Sequence, residues 1–365
     1  MISNVEVIPV EVPLKAPAKM AHGLITHQGS AIVRISTDDG RSGIGAVEPI
    51  PGHDLESLEE VVSTVKDIVK PLIMGKKSDE IKNLVALMDG EFEGHMCSKA
   101  VVEMALFDLL GKSLNVPVDT FFGGRIKDTV SLNGWVGIGS PDKARSDARE
   151  WLNKGFTAMK LKMGSDVTSA VEMIKAVREE VGADIELRVD ANEALNMDKA
   201  RATIEGLKHL DIRYIEQPFP REKIDDLAIL SRTSPIPLMA DESVEDLHTL
   251  LIVLRQEAAQ FVKVKAQKMG GLLKTHQAIQ VADTFGVPVI LGHGFGMGIN
   301  TQAELHLAAS TNAVMDGCES VGPLRMKDDV VKDNGTEWGG QVKLTALPGL
   351  GVELDEEKIK KYRID

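Results

Sequence analysis

A regular spacing of polar residues at the ends of apolar runs constrains this chain more than any other feature. From about residue 128, short apolar or β-branched runs each end in a polar residue, and an amphipathic stretch follows. These polar residues are Lys162, Asp190, Glu216, Asp241, Lys265, His293 and Glu319. They are 24 to 28 residues apart, about the length of a strand, a helix and two loops. The pattern predicts alternating strands and helices.

Eight apolar runs are predicted to be the strands. They cover residues 129–132, 158–161, 185–189, 212–215, 236–240, 261–264, 287–291 and 314–318. The stretches between them favour helices, and residues 165–180 carry apolar side chains close to a 3.6-residue period. Ser140 followed by Pro141 is typical of a helix start, because serine caps the first turn and proline fits its first position. Eight strands that alternate with helices predict an α/β protein with a parallel barrel.

The chain before residue 128 follows a different pattern. Residues 5–12, 31–36 and 43–47 are predicted strands, and Asp38-Asp39-Gly40 predicts the turn between the last two. Helical patterns follow at 55–69, 78–88 and 98–114. We therefore expect an α+β domain at 1–125, the barrel at 126–325, and a C-terminal segment at 326–365 that packs back on the first domain. That last segment contains a predicted strand at 341–345.

Charge and composition exclude several classes of partner. The net charge is −13, which argues against nucleic acid or an anionic membrane, because phosphate binding depends on Lys and Arg. No run approaches 18 apolar residues and no signal-peptide pattern stands at the start, so we expect a cytoplasmic protein without membrane partners. The two cysteines, Cys97 and Cys318, are expected to be reduced and buried.

Three carboxylates end consecutive strands of the predicted barrel. Asp190, Glu216 and Asp241 would share one mouth, because the carboxyl ends of barrel strands face the same side. Three such charges repel one another unless a cation lies between them. An all-oxygen donor set favours Mg²⁺ first and Mn²⁺ second, and disfavours zinc. The alternative is that each acid is an isolated helix cap or a surface charge.

Lysines flank these carboxylates. Lys160 and Lys162 lie two apart in one predicted strand and therefore point to the same face. Crowding and burial lower a lysine pKa, which suits a general base near neutral pH. Lys265 ends the sixth strand, across the mouth from Lys162. The alternative is that these are ordinary solvated lysines.

This arrangement predicts proton abstraction from a small-molecule carboxylate. The substrate would bind the metal, which would stabilise an enediolate. One lysine would remove the α-proton, and the opposite lysine would return it in a racemisation.

Five motifs together resemble one family. They are Lys160-x-Lys162, Asp190-x-Asn192, Glu216-Gln217-Pro218, Asp241-Glu242-Ser243 and Lys265-x-x-Lys268-x-Gly270-Gly271. The set is similar to the enolase superfamily and, within it, to the muconate-lactonizing-enzyme subgroup. Residues 100–112, followed by Phe122-Gly123-Gly124, resemble the end of that family's capping domain. The resemblance covers nearly the whole chain. It implies a (β/α)7β modified TIM barrel with an N-terminal α+β capping domain that the C-terminal tail completes.

The resemblance also implies a role for each matching residue. Asp190, Glu216 and Asp241 would ligate Mg²⁺, and Lys162 and Lys265 would be the acid/base pair. Lys160 would remain cationic beside Lys162 and stabilise the enolate.

Further residues are implied near the metal or the substrate. Asn192, Glu242 and Lys268 would lie near the metal shell or the substrate. A loop at residues 17–29, which contains His22, Thr26 and His27, would close over the substrate, and a second loop at 49–54 would join it. A homo-oligomer is also implied.

The departures from the pattern leave several reactions open. Mandelate-racemase relatives pair a His with an Asp on the sixth strand, but the sixth strand here carries Lys265, so His293 is expected to touch substrate or to be structural. The eighth strand lacks the Asp-x-Asp of dipeptide epimerases; its Glu319 would balance a cationic substrate or shape the mouth, and residues 319–324 look more like those of cycloisomerases.

The leading prediction is a Mg²⁺-dependent racemase or epimerase of an amino-acid-derived carboxylate. A muconate-like cycloisomerase comes next, and a dehydratase or β-eliminating enzyme after that. A Schiff-base lyase and a non-catalytic carboxylate-binding protein are the alternatives from other classes.

Overall fold

Three antiparallel strands open the chain in the computed structural model, which describes residues 1–20, 23–50 and 55–364. They are β1 (Ile2–Met20), β2 (Gly23–Thr37) and β3 (Ser42–Val47), paired in that order. The turn predicted between the last two strands is present. Gly40 adopts a positive φ of 83°, and its amide donates to the Thr37 carbonyl at 3.0 Å. The predicted meander is confirmed, although its first two strands are longer than expected.

The segment predicted as a loop at residues 17–29 differs from that expectation. Its described part forms the far end of the β1–β2 hairpin, with Ala18 opposite Ile25 and Lys19 opposite Leu24. A register shift between Pro13 and Ala18 separates this end from the rest of the ladder. The prediction of a loop was wrong because the pairing partner comes from the same hairpin, and backbone hydrogen bonds there outweigh the weak strand pattern of the sequence.

Helices cover the meander. They are Leu58–Ser63, the π-helical segment Thr64–Val69, Lys70–Ile73, Ile81–Glu91, Met96–Leu114 and the 3-10 helix Val118–Phe122. The helix Met96–Leu114 packs directly on β3 because two glycines allow a close approach. A Cβ atom on Gly45 would lie 2.1 Å from the Val101 carbonyl oxygen, and one on Gly43 would lie 2.3 Å from that of Ala105.

The remaining strands belong mainly to the barrel. They are β4 (Thr129–Ser131), β5 (Gly134–Val136), β6 (Ala158–Lys162), β7 (Glu186–Asp190), β8 (Ile212–Glu216), β9 (Leu238–Ala240), β10 (Phe261–Val264), β11 (Val289–Leu291) and β12 (Gln341–Lys343). Within the described residues, β5 to β11 form one seven-stranded parallel sheet in chain order.

The eighth predicted strand closes this sheet through isolated bridges. Val314 pairs with Val289 on one side, and Cys318 pairs with Leu132 on the other. The Glu319 amide also donates to the Leu291 carbonyl at 2.9 Å. The two edges of the curved sheet are thereby joined, and the side chain at position 319 is held at the mouth of the barrel.

The first barrel strand was predicted a few residues too early in the chain. Residues 129–131 form β4, which pairs antiparallel with β12, and the strand of the parallel sheet is β5 a few residues later. The sequence could not show this, because the partner Gln341–Lys343 is more than 200 residues away and the pairing is decided by tertiary contact.

Helices alternate with the barrel strands as predicted. They are Pro141–Asn153, Val167–Val181, Met197–Leu207, Ile224–Ser231, Leu247–Arg255, Ala266–Met269, Leu272–Thr284, Gly298–Ala309 and Gly322–Arg325. The predicted cap is confirmed, because the Ser140 hydroxyl accepts from the Lys143 amide and Pro141 occupies the first turn.

The C-terminal tail contacts the N-terminal strands. Met326 pairs with Leu14, and Arg363, just after the last helix Glu356–Tyr362, pairs with Val10. The buried Asp108 carboxylate accepts from the Leu350 amide and the Ile44 amide, each at 2.8 Å, and so links the tail to β3. Among the residues described, no helix is both long and apolar enough to cross a bilayer.

Candidate active site

Two Lys-x-Lys pairs face each other across the barrel. Lys160 and Lys162 lie on β6, Lys263 lies on β10, and Lys265 directly follows β10. Strands β7, β8 and β9 separate β6 from β10 along the sheet. Each of the four lysine side chains is at most 7% exposed. Buried ammonium groups require carboxylate partners, and the strands between them supply these partners.

Lys160 lies deepest among the carboxylates. Its Nζ is 2.9 Å from Asp190 Oδ2, 3.2 Å from Glu216 Oε1 and 2.5 Å from Glu319 Oε2. Burial alone would lower the pKa of Lys160, but the three carboxylates outweigh it and hold the pKa well above 10.5. Lys160 is therefore positively charged at neutral pH.

Lys162, two residues further along β6, has a different environment. Its Nζ donates to Asp190 Oδ2 and to Asn192 Oδ1, both at 2.6 Å. Burial lowers the pKa of Lys162, the Asp190 carboxylate raises it, and the neighbouring Lys160 ammonium lowers it again. The net pKa is below 10.5, which brings the neutral amine of a general base closer to neutral pH.

The opposite strand repeats this pattern. Lys265 Nζ donates to Asp241 Oδ2 at 2.9 Å, and Lys268 Nζ lies 2.7 Å from Asp241 Oδ1. Lys263 contacts Glu319 Oε2 and lies 3.3 Å from Glu216 Oε1. The sequence analysis did not select Lys263. The repeated Lys-x-Lys spacing on two strands was the signal that could have identified it.

The three strand-end carboxylates are brought to one side of the barrel. Asp190 and Glu216 are direct partners in the β7–β8 register, and both lie next to the Lys160 ammonium. Glu216 and Asp241 both face Lys263, at 3.3 Å and 3.8 Å. Burial, and then repulsion by Asp190, raises the pKa of Glu216. A further positive charge among these oxygens would be stabilised.

The donor set fits a hard divalent cation. The candidate ligands are carboxylate oxygens from three adjacent strands, at most 1% exposed, and such oxygens suit Mg²⁺. Within the described part of the chain, lysine ammonium groups lie between these carboxylates, and no three His, Cys, Asp or Glu side chains form a group that could hold a metal. Asp190, Glu216 and Asp241 do not form such a group while these lysine contacts are in place, and they could bind the cation once the contacts rearrange.

The loops that follow β7 and β8 contain residues in strained backbone conformations. Asn192 and Gln217 both adopt positive φ angles, 41° and 35°, and such conformations cluster at functional sites. The Gln217 side chain accepts from the Asp241 amide at 2.9 Å and the Ser243 amide at 3.1 Å. Its Nε2 donates to the Phe219 carbonyl at 2.9 Å. Gln217 thus fixes the backbone that carries Asp241, a role that the sequence analysis did not assign to it.

Asn192 and Glu242 lie beside the predicted acid/base group. The Asn192 side chain donates to Glu242 Oε1 at 3.0 Å and accepts from Lys162. Burial and the neighbouring Asp241 and Asp190 carboxylates raise the pKa of Glu242. These two residues connect the predicted base on β6 to the loop after β9.

His293 and Glu319 are both buried at the mouth. The His293 Nδ1 accepts from the Phe295 amide at 3.2 Å, and burial, followed by Lys265 and Lys263, lowers the pKa of His293 to about 3. A histidine of this kind is neutral at ordinary pH and does not act as a cation. Glu319 faces Lys160 and Lys263, so it shapes the mouth by neutralising those lysines.

The predicted loop residues lie away from the lysines or outside the description. His22 and residues 51–54 lie outside the described residues. His27 is exposed, and its Nδ1 is 3.1 Å from Thr26 Oγ1. From the second loop, Ile50 is buried and reaches the lysine site.

A cavity of about 30 Å³ opens between the lysines. Its walls are Ile50, Trp135, Lys160, Lys162, Asn192, Asp241, Lys263, Lys265, His293, Gly294, Phe295, Glu319 and Arg325. A second cavity of about 370 Å³ lies next to it, between the N-terminal domain and the loops after β8, β9 and β10. Lys268 borders the larger cavity and also donates to Asp241. Lys268 therefore links a wall of the larger cavity to Asp241, which lines the smaller one.

The site thus places acid/base groups and carboxylates at the carboxyl ends of barrel strands, beneath an α+β domain. Two family models match the parts of the sequence that form these two domains. Residues 2–123 match the mandelate racemase / muconate lactonizing enzyme N-terminal domain, and residues 143–358 match the enolase C-terminal domain-like family. The chain belongs to the mandelate racemase / muconate lactonizing enzyme family of the enolase superfamily. Members of this superfamily generally depend on magnesium.

Individual relatives align with this chain over nearly the full length of both sequences. An N-succinyl-L-Arg/Lys racemase of Bacillus cereus is 29% identical and covers 100% of this chain and 98% of its own. Muconate cycloisomerase 1 of Rhodococcus opacus is 31% identical, over 99% of this chain and 98% of its own. The crystal structure of the muconate lactonizing enzyme from Pseudomonas fluorescens complexed with muconolactone has a TM-score of 0.96 at 28% identity, covering 100% and 99%.

These comparisons confirm the predicted family and fold. The relatives are racemases, epimerases and cycloisomerases, so the prediction of an isomerase of the enolase superfamily is also confirmed. The modified barrel with an N-terminal α+β domain is the fold of these relatives.

Proposed function

We propose that this enzyme moves the α-proton of an amino-acid-derived carboxylate between two opposed lysines, as a racemase or epimerase. One observation carries the proposal. Lys162 and Lys265 are buried, come from strands on opposite sides of the barrel, and line the same cavity. A carbon held between them has a proton donor or acceptor on each face, which is what a 1,1-proton transfer requires.

The two lysines differ in their resting partners. Lys162, with its lowered pKa, acts as the base for one stereoisomer, and its proton is held afterwards near Asp190 and Asn192. Lys265 acts on the other face and rests against Asp241. Lys160 remains charged, favours the neutral form of Lys162 by repulsion, and stabilises negative charge on the substrate.

Asp190, Glu216 and Asp241 would hold the divalent cation, magnesium before manganese. When bound, the cation withdraws electron density from the substrate carboxylate and lowers the cost of removing the α-proton. The chain's own contribution is to hold these carboxylates on one side, through the pairing of Asp190 with Glu216 in the β7–β8 register and the Gln217 contact to the Asp241 amide.

An N-acylated amino acid is the substrate class we propose. Support comes from the Bacillus cereus relative, named as an N-succinyl-L-Arg/Lys racemase, which aligns over the whole chain. The larger cavity next to the lysines has room for the side chain of such a substrate. A muconate-like cycloisomerisation is the second candidate, because the Rhodococcus opacus relative is equally similar.

Solvent deuterium exchange distinguishes the two reactions. The protein with Mg²⁺ is incubated in D₂O with pools of N-acyl amino acids, or with cis,cis-muconate. The proposal predicts deuterium at the α-carbon and loss of optical purity in the first pool. A new isomer from muconate, with no exchange in any N-acyl amino acid, would contradict the racemase assignment in favour of the cycloisomerase.

A further inference from the structure

Arg325 is a buried cation in the active-site wall that neither the motifs nor the proposed proton transfer uses. It ends the short helix Gly322–Arg325. Its guanidinium carbon lies 3.9 Å from the ring centroid of Trp135 and 3.8 Å from that of Phe295. The guanidinium therefore lies over two aromatic rings, and these cation–π contacts restrict its position.

The Arg325 guanidinium is buried but makes few hydrogen bonds. Arg325 is 9% exposed, and among the described residues its guanidinium donates one hydrogen bond, from Nη1 to the Gly294 carbonyl at 3.0 Å. Among the described residues, no carboxylate lies within ion-pair distance of it. A guanidinium carries five N–H donors, so most of them are available along the cavity that this residue lines.

Burial lowers the pKa of Arg325 to about 9, and the more distant Glu319 opposes this shift. The side chain is still protonated at neutral pH. A buried charge without a counter-ion among the described residues is costly, and its position at the wall of an active site favours a bound anion as the counter-ion.

The position of Arg325 in the ring defines which part of a substrate it would meet. Arg325 and its neighbours Trp135 and Phe295 come from the eighth-strand loop, β5 and the loop after β11. The carboxylates Asp190 and Glu216 end β7 and β8, on the other side of the ring. The strands β6 and β10, which carry the paired lysines, lie between these two sides.

We propose that Arg325 binds a second carboxylate of the substrate, distal to the carboxylate at the α-carbon. The inference rests on the proposed proton transfer, because the α-carboxylate is assigned there to the Asp190 and Glu216 side. The substrate then spans the ring, with its α-carbon between Lys162 and Lys265. The planar guanidinium favours a bidentate carboxylate, and the two cation–π contacts restrict where the guanidinium lies.

The test compares two ligands that differ only at the distal group. N-succinylglycine carries a distal carboxylate, and N-succinamoylglycine carries a neutral amide of the same shape. Exchange at their glycine carbon leaves the compound chemically unchanged, so equilibrium affinity can be measured by calorimetry with Mg²⁺ present. Wild-type protein should bind the carboxylate about 10- to 100-fold more tightly, as expected for a charge-assisted contact in a buried site.

Two variants separate recognition from structure. In Arg325→Gln the preference for the carboxylate should fall to within about 3-fold of unity, while Arg325→Lys, which keeps the charge but loses the planar fork, should keep part of it. A purely structural arginine would weaken both ligands equally and leave their ratio unchanged in Arg325→Gln. If a variant does not fold, the ratio of the two ligand affinities in the wild-type protein still tests the inference.

The outcomes distinguish this inference from the proposed reaction. A wild-type ratio near unity, or a ratio unchanged in Arg325→Gln, overturns the assignment of Arg325 even if deuterium exchange occurs. A ratio of 10 or more that the variant abolishes supports the assignment, and absence of exchange would then contradict only the proton transfer. Failure of the wild type to bind N-succinylglycine at all would overturn the inference about Arg325.

Discussion

Lys160 and Lys162 lie two residues apart on one strand, yet their pKa values move in opposite directions. Lys160 contacts three carboxylates and its pKa is raised, whereas Lys162 shares Asp190 with it and its pKa is lowered. The same burial acts on both groups, so the difference comes from the number of carboxylates that each can reach. One strand therefore presents a fixed cation and a titratable amine side by side.

The first prediction concerns the pH dependence of the reaction. The base form of Lys162 is the neutral amine, so kcat/KM for the stereoisomer that it serves should rise with pH and level off at an inflection below 10.5. A bound divalent cation would move this inflection lower still, because positive charge disfavours the ammonium form. Rates of α-proton exchange from pH 6 to 10 measure it.

Lys160→Met provides the matched variant for this pH profile. Loss of the neighbouring positive charge should raise the pKa of Lys162 and move the inflection to higher pH. The exposed Lys143→Met serves as a control and should leave the profile unchanged, because Lys143 lies on the helix Pro141–Asn153. An inflection that stays in place in Lys160→Met would exclude the proposed coupling.

The second prediction concerns the divalent cation. Lysine ammonium groups contact the three candidate ligands in this structure, so Mg²⁺ has to compete with them. Burial also raises the pKa of Glu216 to about 8, so the Mg²⁺ affinity should increase with pH up to about that value, by at most about tenfold per unit for the one proton released. Saturating Mg²⁺ should stabilise the fold by about 2.7 kcal/mol at 100 times its Kd. Calorimetry and thermal unfolding in Mg²⁺ or EDTA measure both effects.

Asp190→Asn and Glu216→Gln are the variants for the metal site. Each should abolish the Mg²⁺-dependent rise in melting temperature. A Glu186→Gln variant on the same strand as Asp190, whose partners are Arg188 and Arg213, should retain it. Retention of the rise in both site variants would exclude these carboxylates as ligands.

The third prediction concerns Gln217 as a positioning residue. Gln217→Ala removes the acceptor of the Asp241 and Ser243 amides, which should cost about 1–3 kcal/mol of stability. It should also weaken Mg²⁺ binding by about 10- to 100-fold, as is typical when an outer partner of a ligand is lost. Gln217→Glu keeps an acceptor and should recover part of the affinity. Equal loss of stability with unchanged Mg²⁺ affinity would limit Gln217 to a structural role.

Most of the site could be predicted because parallel barrel strands place their last residues at one mouth. The strand period was sufficient to group Asp190, Glu216, Asp241 and the lysines without any contact information. Arg325 could not be predicted in this way. Its partners Trp135 and Phe295 are 190 and 30 residues away, and no periodicity connects a short helix after the eighth strand to them.

The parts of the fold that were mispredicted share one cause. Residues 129–131 and the hairpin end at 18–20 and 23–25 pair with neighbours that the sequence pattern does not specify. Short strands of this kind are defined by their partners, whereas β6 to β8 are defined by a mostly buried run that ends in a charged residue. The prediction was therefore reliable where burial alone decides the structure.

The most direct test of the account is the stereospecificity of the two lysines. Wild-type protein with Mg²⁺ in D₂O should exchange the α-proton of both enantiomers of an active N-acyl amino acid. Lys162→Ala should lose exchange with one enantiomer and Lys265→Ala with the other, each by about 10²- to 10⁴-fold. A two-base mechanism would be contradicted if both variants lost exchange with the same enantiomer, or if either variant still exchanged both enantiomers at the full rate.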